Sequence, residues 1–491
     1  MPEIPLASRP AALGLVAGVG CANLALAVAL VERSPALALA VGLLPAAVVA
    51  FAALAASRNS ALLLMTFGLP LSLPLLNRSI PVGAGSNLFV ADLVVVLALG
   101  AWIVQRLVLG NDALRWPRTP VLGWPFVLFA VAIVAATLRG HAAYGSSLVG
   151  QPLRLVLYAG IGGAIAGVTP RQLYRLLVAV FYGGTVWMLM NAAYYIATGT
   201  SQTNQDVLST GGTRILGIST SMYMGGAAIL ALLSLRLEQR ASLRALHATM
   251  ALCGAVGVVL GFGRAVFASA ALVSVLILVL SGRIRRQLLS IVPFLVPALV
   301  VAALLVPRAA PDLVPSFAGR VTSSPSRDLN VQWRVKANAA VLEQVRESPW
   351  IGVGFGRAAS FSLDVESSSG FRVPTRIDIY QDPHNGYLFL LAGGGVFALG
   401  AFLLVIAAYA VDCIRRYRAT SDEIGRLIVA WSGATLFVFL FNAASGTMFE
   451  SAADLLTIWA LLLIPAVVSA GAAVPALERS QGTRSAEVVG R

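Results

Sequence analysis

Apolar runs of about 17–28 residues, separated by short polar segments rich in arginine and glycine, recur along almost the whole chain. A helix needs about 20 apolar residues to cross a hydrocarbon core of about 30 Å. Runs of that size fall at 11–31, 35–56, 61–77, 87–108, 120–138, 150–168, 172–197, 219–237, 244–262, 264–282, 287–306, 384–411, 425–443 and 453–473. Pro70 and Pro74 interrupt the third run, and little more than Gly263 and Arg264 separates the pair at 244–262 and 264–282. The pattern predicts an all-α integral membrane protein, a polytopic bundle of about 12–14 transmembrane helices. The first run reads as an uncleaved span, because no cleavage site stands out after it and many more spans follow.

One long connection breaks the rhythm, at residues 307–383. Within it, 331–347 has helical spacing, with Trp333, Ala337, Ala340, Val341 and Val345 on one face and Pro349 closing the segment. An amphipathic helix is expected there, as a lid on the membrane or as a direct contributor through Arg334 or Lys336. The glycines of "GVGFG" (352–356) follow no strand, so they read as a tight turn and not as a nucleotide cradle. The expected organisation is N-terminal spans over 1–210, spans carrying external arginines over 211–306, the large external loop over 307–383, C-terminal spans over 384–473 and a cytoplasmic tail over 474–491.

Composition agrees and adds sidedness. The 491 residues are 58% hydrophobic and 11% charged, with mean hydropathy +0.84, outside the range of soluble domains. The formal charge is +14, but the only lysine is Lys336, so the basic balance is an arginine bias and a nucleic-acid partner is not expected. Cys21, Cys253 and Cys413 have neither disulfide nor metal spacing. Arginine-rich connections at 106–118, 169–175, 236–244, 282–287 and 412–426 fall on one side if the spans alternate, and the positive-inside rule makes that side the cytoplasm. Arg139, Arg214, Arg264, His384 and the long loop then face outward.

The outward charges carry the candidate chemistry. Arg264, at the tip of a tight hairpin, and Arg214, at the mouth of the span at 219–237, together offer about ten N–H donors in fork geometry, suited to a diphosphate. Snorkelling to lipid phosphate is the plainer role for Arg214. His384, followed by Asn385, stands at the mouth of a glycine-rich span (Gly393, Gly394, Gly395), where a neutral imidazole is able to take a proton. Packing is the plainer role for a lone histidine. His141 and His247 lack that setting. Asn385 is a candidate to orient His384 or a sugar hydroxyl, and Asp364, Glu366, Asp378 and Asp382 are further polar candidates in the loop.

The segments "TRILGIS", "GRAVFAS", "WRVKANAAVLEQVRESPWIGVGFG" and "DPHNGYLFLLAGGGVFALG", in that order over roughly residues 210–410, resemble the O-antigen ligase and polymerase superfamily of bacterial envelope glycosyltransferases. One departure is "GRA" at 263–265, where many members carry Ser-Arg-Gly; the arginine is retained. The resemblance implies an inner-membrane enzyme with its site facing the periplasm. Its donor would be a glycan on undecaprenyl diphosphate, and its acceptor a sugar hydroxyl on lipid A core or on a second lipid-linked glycan. It implies His384 and Asn385 as catalytic, Arg214 and Arg264 as diphosphate-binding, and Arg334 and Asp382 as supporting, with inversion and with no cofactor and no metal. A transporter or flippase of lipid-linked sugars is the rival reading. It is disfavoured because ionisable residues such as Asp92 and Arg154 sit near the ends of spans and not at mid-depth.

Overall fold

The computed structural model describes residues 66–67, 79–81, 87–103, 106, 116–145, 150–198, 216–261, 263–289, 329–366, 372–379, 383–446, 448–449 and 451–471. The runs expected at 11–31, 35–56 and, for nearly all their length, 61–77 and 287–306 lie outside these residues, as does the tail at 474–491.

The described chain is a helical membrane protein. A short β1–β2 pair (Ser79–Pro81 with Asn87–Phe89) leads into α1 (Val90–Ile103). There follow α2 (Trp124–Tyr144), α3 (Gly150–Leu157), α4 (Gly162–Ile165), α5 (Pro170–Thr198), α6 (Ile218–Ser234), α7 (Ala241–Leu260), α8 (Arg264–Leu280) and α9 (Gly282–Leu289). Next come the loop helix α10 (Leu329–Glu347), a hairpin of β3 (Ala359–Glu366) and β4 (Arg372–Ile379), then α11 (Gly386–Ala419), α12 (Glu423–Ala443), α13 (Ala452–Leu463) and α14 (Pro465–Gly471). Among the described residues α2, α5, α7, α11 and α12 are long and apolar enough to cross a membrane, with shorter apolar helices at α1, α6, α8 and Ala452–Val468.

One expected span is not a continuous α-helix. The run at 150–168 is divided into α3, a 3-10 turn at Tyr158–Ile161 and α4. Its glycines meet neighbours too closely for a side chain: a Cβ on Gly163 would fall on the Ala98 carbonyl, and one on Gly162 would press on Trp116. At Pro465 the run at 453–473 loses one ladder bond between α13 and α14, but Ile464 keeps helical φ and ψ, and Ala452–Val468 forms one apolar helix.

Helix α6 is apolar and buried nearly all round, as expected of a helix at the centre of a bundle. It packs on α5, α7, α8 and α12. Indole donors tie the core without leaving polar atoms in hydrocarbon: Trp431 Nε1 donates to Gly226 O and Trp459 Nε1 to Leu155 O, each at 2.9 Å.

Helices α2 and α11 lie antiparallel. At one end Thr119 Oγ1 donates to Asp412 Oδ2 (2.9 Å), Arg416 pairs with Asp412 (2.8 Å) and its Nη2 donates to Arg118 O (2.8 Å). The arginine-rich segments at 106–118 and 412–426 therefore meet at the same end of the bundle. Arg139, Tyr144 and the long loop meet at the other.

Candidate functional site

The loop that follows α10 does more than turn. Pro349 stops α10, and left-handed φ at Gly352 (69°), Gly354 (91°) and Gly356 (98°) folds the chain into the bundle between α2 and α11. There it replaces part of the α11 backbone ladder. Gly395 has φ 69°, ψ −169°, which breaks α11 into 386–394 and 396–419. Across the break, Val353 N donates to Ala392 O (2.9 Å), Gly354 N to Gly393 O (3.0 Å), Val396 N to Pro349 O (2.9 Å) and Phe397 N to Trp350 O (3.2 Å). Phe355 N donates to Ala136 O of α2 (3.3 Å). Broken backbone at this depth is tolerable because protein, and not lipid, supplies the partners.

The glycines make the insertion possible. A Cβ on Gly140 would strike the Phe355 backbone, one on Gly393 the Phe355 ring, and one on Gly395 the Trp350 carbonyl. The run at 393–395, read in sequence as room for helix–helix approach, admits a loop. Arg139 Nη1 donates to Gly352 O, and Tyr144 OH to Val353 O at 3.1 Å, so the end of α2 holds the inserted segment from outside.

The same loop runs through the β3–β4 hairpin to His384. Sequence reasoning missed this hairpin, although the alternation Ala359, Phe361, Leu363 was a period-2 signal. Its base packs on α10, where Trp333 touches Phe361 (5.6 Å between ring centroids) and Gln344 Nε2 donates to Ala358 O (2.8 Å). Exposed ion pairs decorate it. Arg357 donates to Glu347 (3.0 Å) and holds that carboxyl below its usual range, while the Ser360 hydroxyl and Arg376 do the same for Asp378.

His384 has φ 59°, the one non-glycine residue with positive φ among the described residues. Its imidazole stands edge-to-face with Trp333, centroids 4.9 Å apart and planes at 80°. The run expected from residue 384 becomes helical only at Gly386, the start of α11, and Asn385 is its N-cap, with Oδ1 accepting from Leu388 N at 3.1 Å. One face of the Asn385 amide is thus committed to the helix. Beyond it, Tyr387 OH donates to Leu440 O (2.8 Å), which joins the start of α11 to the end of α12.

Arg264 is exposed and is the first residue of α8. Five residues on, Ser269 Oγ accepts from Asn442 Nδ2 (3.3 Å), so the start of α8 also meets the end of α12. The last turn of α12 therefore relates Arg264 to His384 at one end of the bundle. Arg334, half-buried on α10, adjoins Trp333 at that end. Arg214 and Asp382 lie outside the described residues.

Two acidic groups were underrated in sequence. Asp92, half-buried, pairs with the buried Arg154 (2.8 Å), accepts from Tyr158 OH (2.7 Å) and caps Phe89 N (2.8 Å), with the guanidinium over the Phe89 ring. Asp454, fully buried in the first turn of α13, accepts from Ser219 Oγ at 2.7 Å. Both pairs join segments too far apart in sequence for any spacing rule to relate them.

An apolar groove of about 550 Å³ runs along α2 and α11 below the inserted loop. Leu128, Val131, Ala135, Phe397, Gly400 and Leu404 line it, with Ile351 and Arg139 at its mouth.

Chemically, this end of the bundle offers a guanidinium able to grip phosphate oxygens in a fork and an imidazole able to accept a proton. No curated protein matches the chain. Residues 248–405, which include Arg264, Arg334, the inserted loop and His384, match the family model described as O-antigen ligase.

Proposed function

We propose that this protein is a bacterial inner-membrane glycosyltransferase that moves a glycan from undecaprenyl diphosphate to a sugar hydroxyl on the periplasmic face. The acceptor hydroxyl attacks the anomeric carbon and the glycosyl–oxygen bond to the diphosphate breaks, with inversion. His384 takes the hydroxyl proton, and Arg264 with Arg214 meets the charge that grows on the departing diphosphate. Asn385 keeps the helix start in place beneath the imidazole, and Arg334 and Asp382 are supporting groups. Residues 307–383 are the external segment that covers the site, between the spans of 1–210 and 211–306 and those of 384–473, with 474–491 as a cytoplasmic tail.

The observation that carries this reading is the setting of His384: an imidazole fixed by a left-handed backbone and by the Trp333 ring, at the same end of the bundle as the exposed Arg264. Transfer to lipid A core is the ligase form of the reaction. Transfer to a second lipid-linked glycan is the polymerase form, and the groove beside α11 favours it.

The test is the purified protein with a synthetic undecaprenyl-diphosphate glycan, wild type against His384→Ala, scored for released lipid diphosphate and for glycan length. Release that needs His384 is expected. Wild-type protein that moves lipid-linked sugar across liposomes and makes no glycosidic bond would replace the enzyme with a transporter.

A further inference from the structure

We propose that the groove between α2 and α11 holds the polyprenyl chain of a lipid-linked acceptor, with its phosphate at Arg139. This rests on the transfer reaction proposed above. The groove is apolar along its length and, among the described residues, carries one cation, Arg139, at its mouth. Nη1 of Arg139 is fixed on Gly352 O, while Nε and Nη2 have no partner among the described residues. That leaves donors for an anion where a hydrocarbon chain in the groove would meet its headgroup.

The mouth is a built feature. Ile351 and Gly352 belong to the segment that breaks α11, and the same chain continues through the hairpin to His384. Gly352, which holds Arg139, and His384 therefore belong to one loop, whose Val353 and Gly354 bond to Ala392 and Gly393 in the helix that begins two residues after His384. The groove also lies on a different flank from Arg264. Val396, Phe397, Gly400 and Leu404 line it beside α2, whereas Tyr387 and Tyr409 of α11 bond to Leu440 and Ser432 of α12, the helix that packs on α8. The base then stands between a donor diphosphate at Arg264 and an acceptor anchored beside α2. About 550 Å³ is within the usual range for one bound ligand and suits a single chain, whereas a lipid A brings several acyl chains under one headgroup.

Gly400 gives the test a clean variant. A Cβ there meets no heavy atom within 4 Å, so Gly400→Leu fills the groove without disturbing the fold. The full chain is placed in nanodiscs of phosphatidylethanolamine and phosphatidylglycerol and labelled, without turnover, by a diazirine-bearing polyprenyl diphosphate or a diazirine-bearing phosphatidylglycerol. The expected result is polyprenyl labelling within 128–139 and 394–404, abolished in Gly400→Leu and reduced roughly tenfold in Arg139→Gln, the loss of a hydrogen bond to a charged partner. Label confined to α6–α8 would overturn the proposal, as would phosphatidylglycerol labelling of the groove that excess polyprenyl diphosphate does not displace, the mark of ordinary boundary lipid. Where transfer is measured, Gly400→Leu raises the KM for a lipid-linked acceptor and leaves that for the donor; the reverse pattern overturns the acceptor assignment. Wild-type protein that labels in the groove yet transfers no glycan would refute the reaction and leave the lipid site standing.

Discussion

Gly395→Ala is the sharpest perturbation of the joint between loop and helix. At φ 69°, ψ −169° the backbone is in a region almost reserved for glycine, and a side chain there costs about 1–3 kcal/mol. The new Cβ also falls on the Trp350 carbonyl. The chain escapes by straightening α11, after which Val396 N and Phe397 N bond to Ala392 O and Gly393 O in the ordinary helical ladder. The helix then loses no hydrogen bond, but the loop loses four: two donated by Val353 and Gly354, two accepted at Pro349 and Trp350. At about 0.5–1.5 kcal/mol each, partly recovered from water at the membrane surface, undocking costs roughly 2–4 kcal/mol. The cheaper of the two routes sets the outcome, so a docked loop under strain or an undocked loop differ in which amides exchange. Undocking predicts fast hydrogen exchange at 353–354 with 396–397 still protected, together with a fall in glycan transfer as His384 loses its support. Unchanged protection at 353–354 and unchanged turnover would refute the account of the insertion.

Arg264→Lys replaces a fork by a point charge, and donor affinity is expected to fall roughly tenfold in a binding assay, whereas wild-type affinity would exclude bidentate contact. Trp333→Ala removes the ring edge that meets His384 and Phe361, pairs worth about 0.5–1.5 kcal/mol each; kcat should drop with little change in donor KM, and Trp333→Phe should restore part of it. The carboxyls of Glu347 and Asp378 titrate below their unfolded values of about 4.3 and 3.9, so their ion pairs contribute fully above that range and are lost as pH falls through the lower folded values. Protease resistance of the hairpin should accordingly stay level from pH 7 to 5 and decline below about 4; a decline between pH 7 and 5 would assign it to other groups.

Much of this arrangement was legible because the bilayer imposes length and polarity on every span. The helix at Leu329–Glu347 begins two residues before its expected start and ends where Pro349 requires, and Ala337 and Val341 of its apolar face are buried. Arginine placement put 106–118 and 412–426 on one side, and Arg118 and Arg416 do meet. What stayed hidden depends on partners far off in the chain. Hydropathy shows Gly393–Gly395 as part of one span, because a ladder interrupted by Pro349 and Trp350 has the same composition as an intact one. Likewise the sequence did not show that Asn385 caps α11, with Oδ1 accepting from Leu388 N. Asp454 gave no signal, since its partner Ser219 lies 235 positions away.

The clamp between Thr119 and Asp412 spans 293 residues. At a synthesis rate of about 5–20 residues per second, α2 reaches the membrane roughly 15–60 s before its partner helix exists. During that interval the face of α2 that will meet α11 lacks its partner helix. The packing of α2 against α11 is therefore completed only once the C-terminal third has been made, and a chain that stalls before residue 412 leaves that face of α2 uncovered while α3 already packs on another.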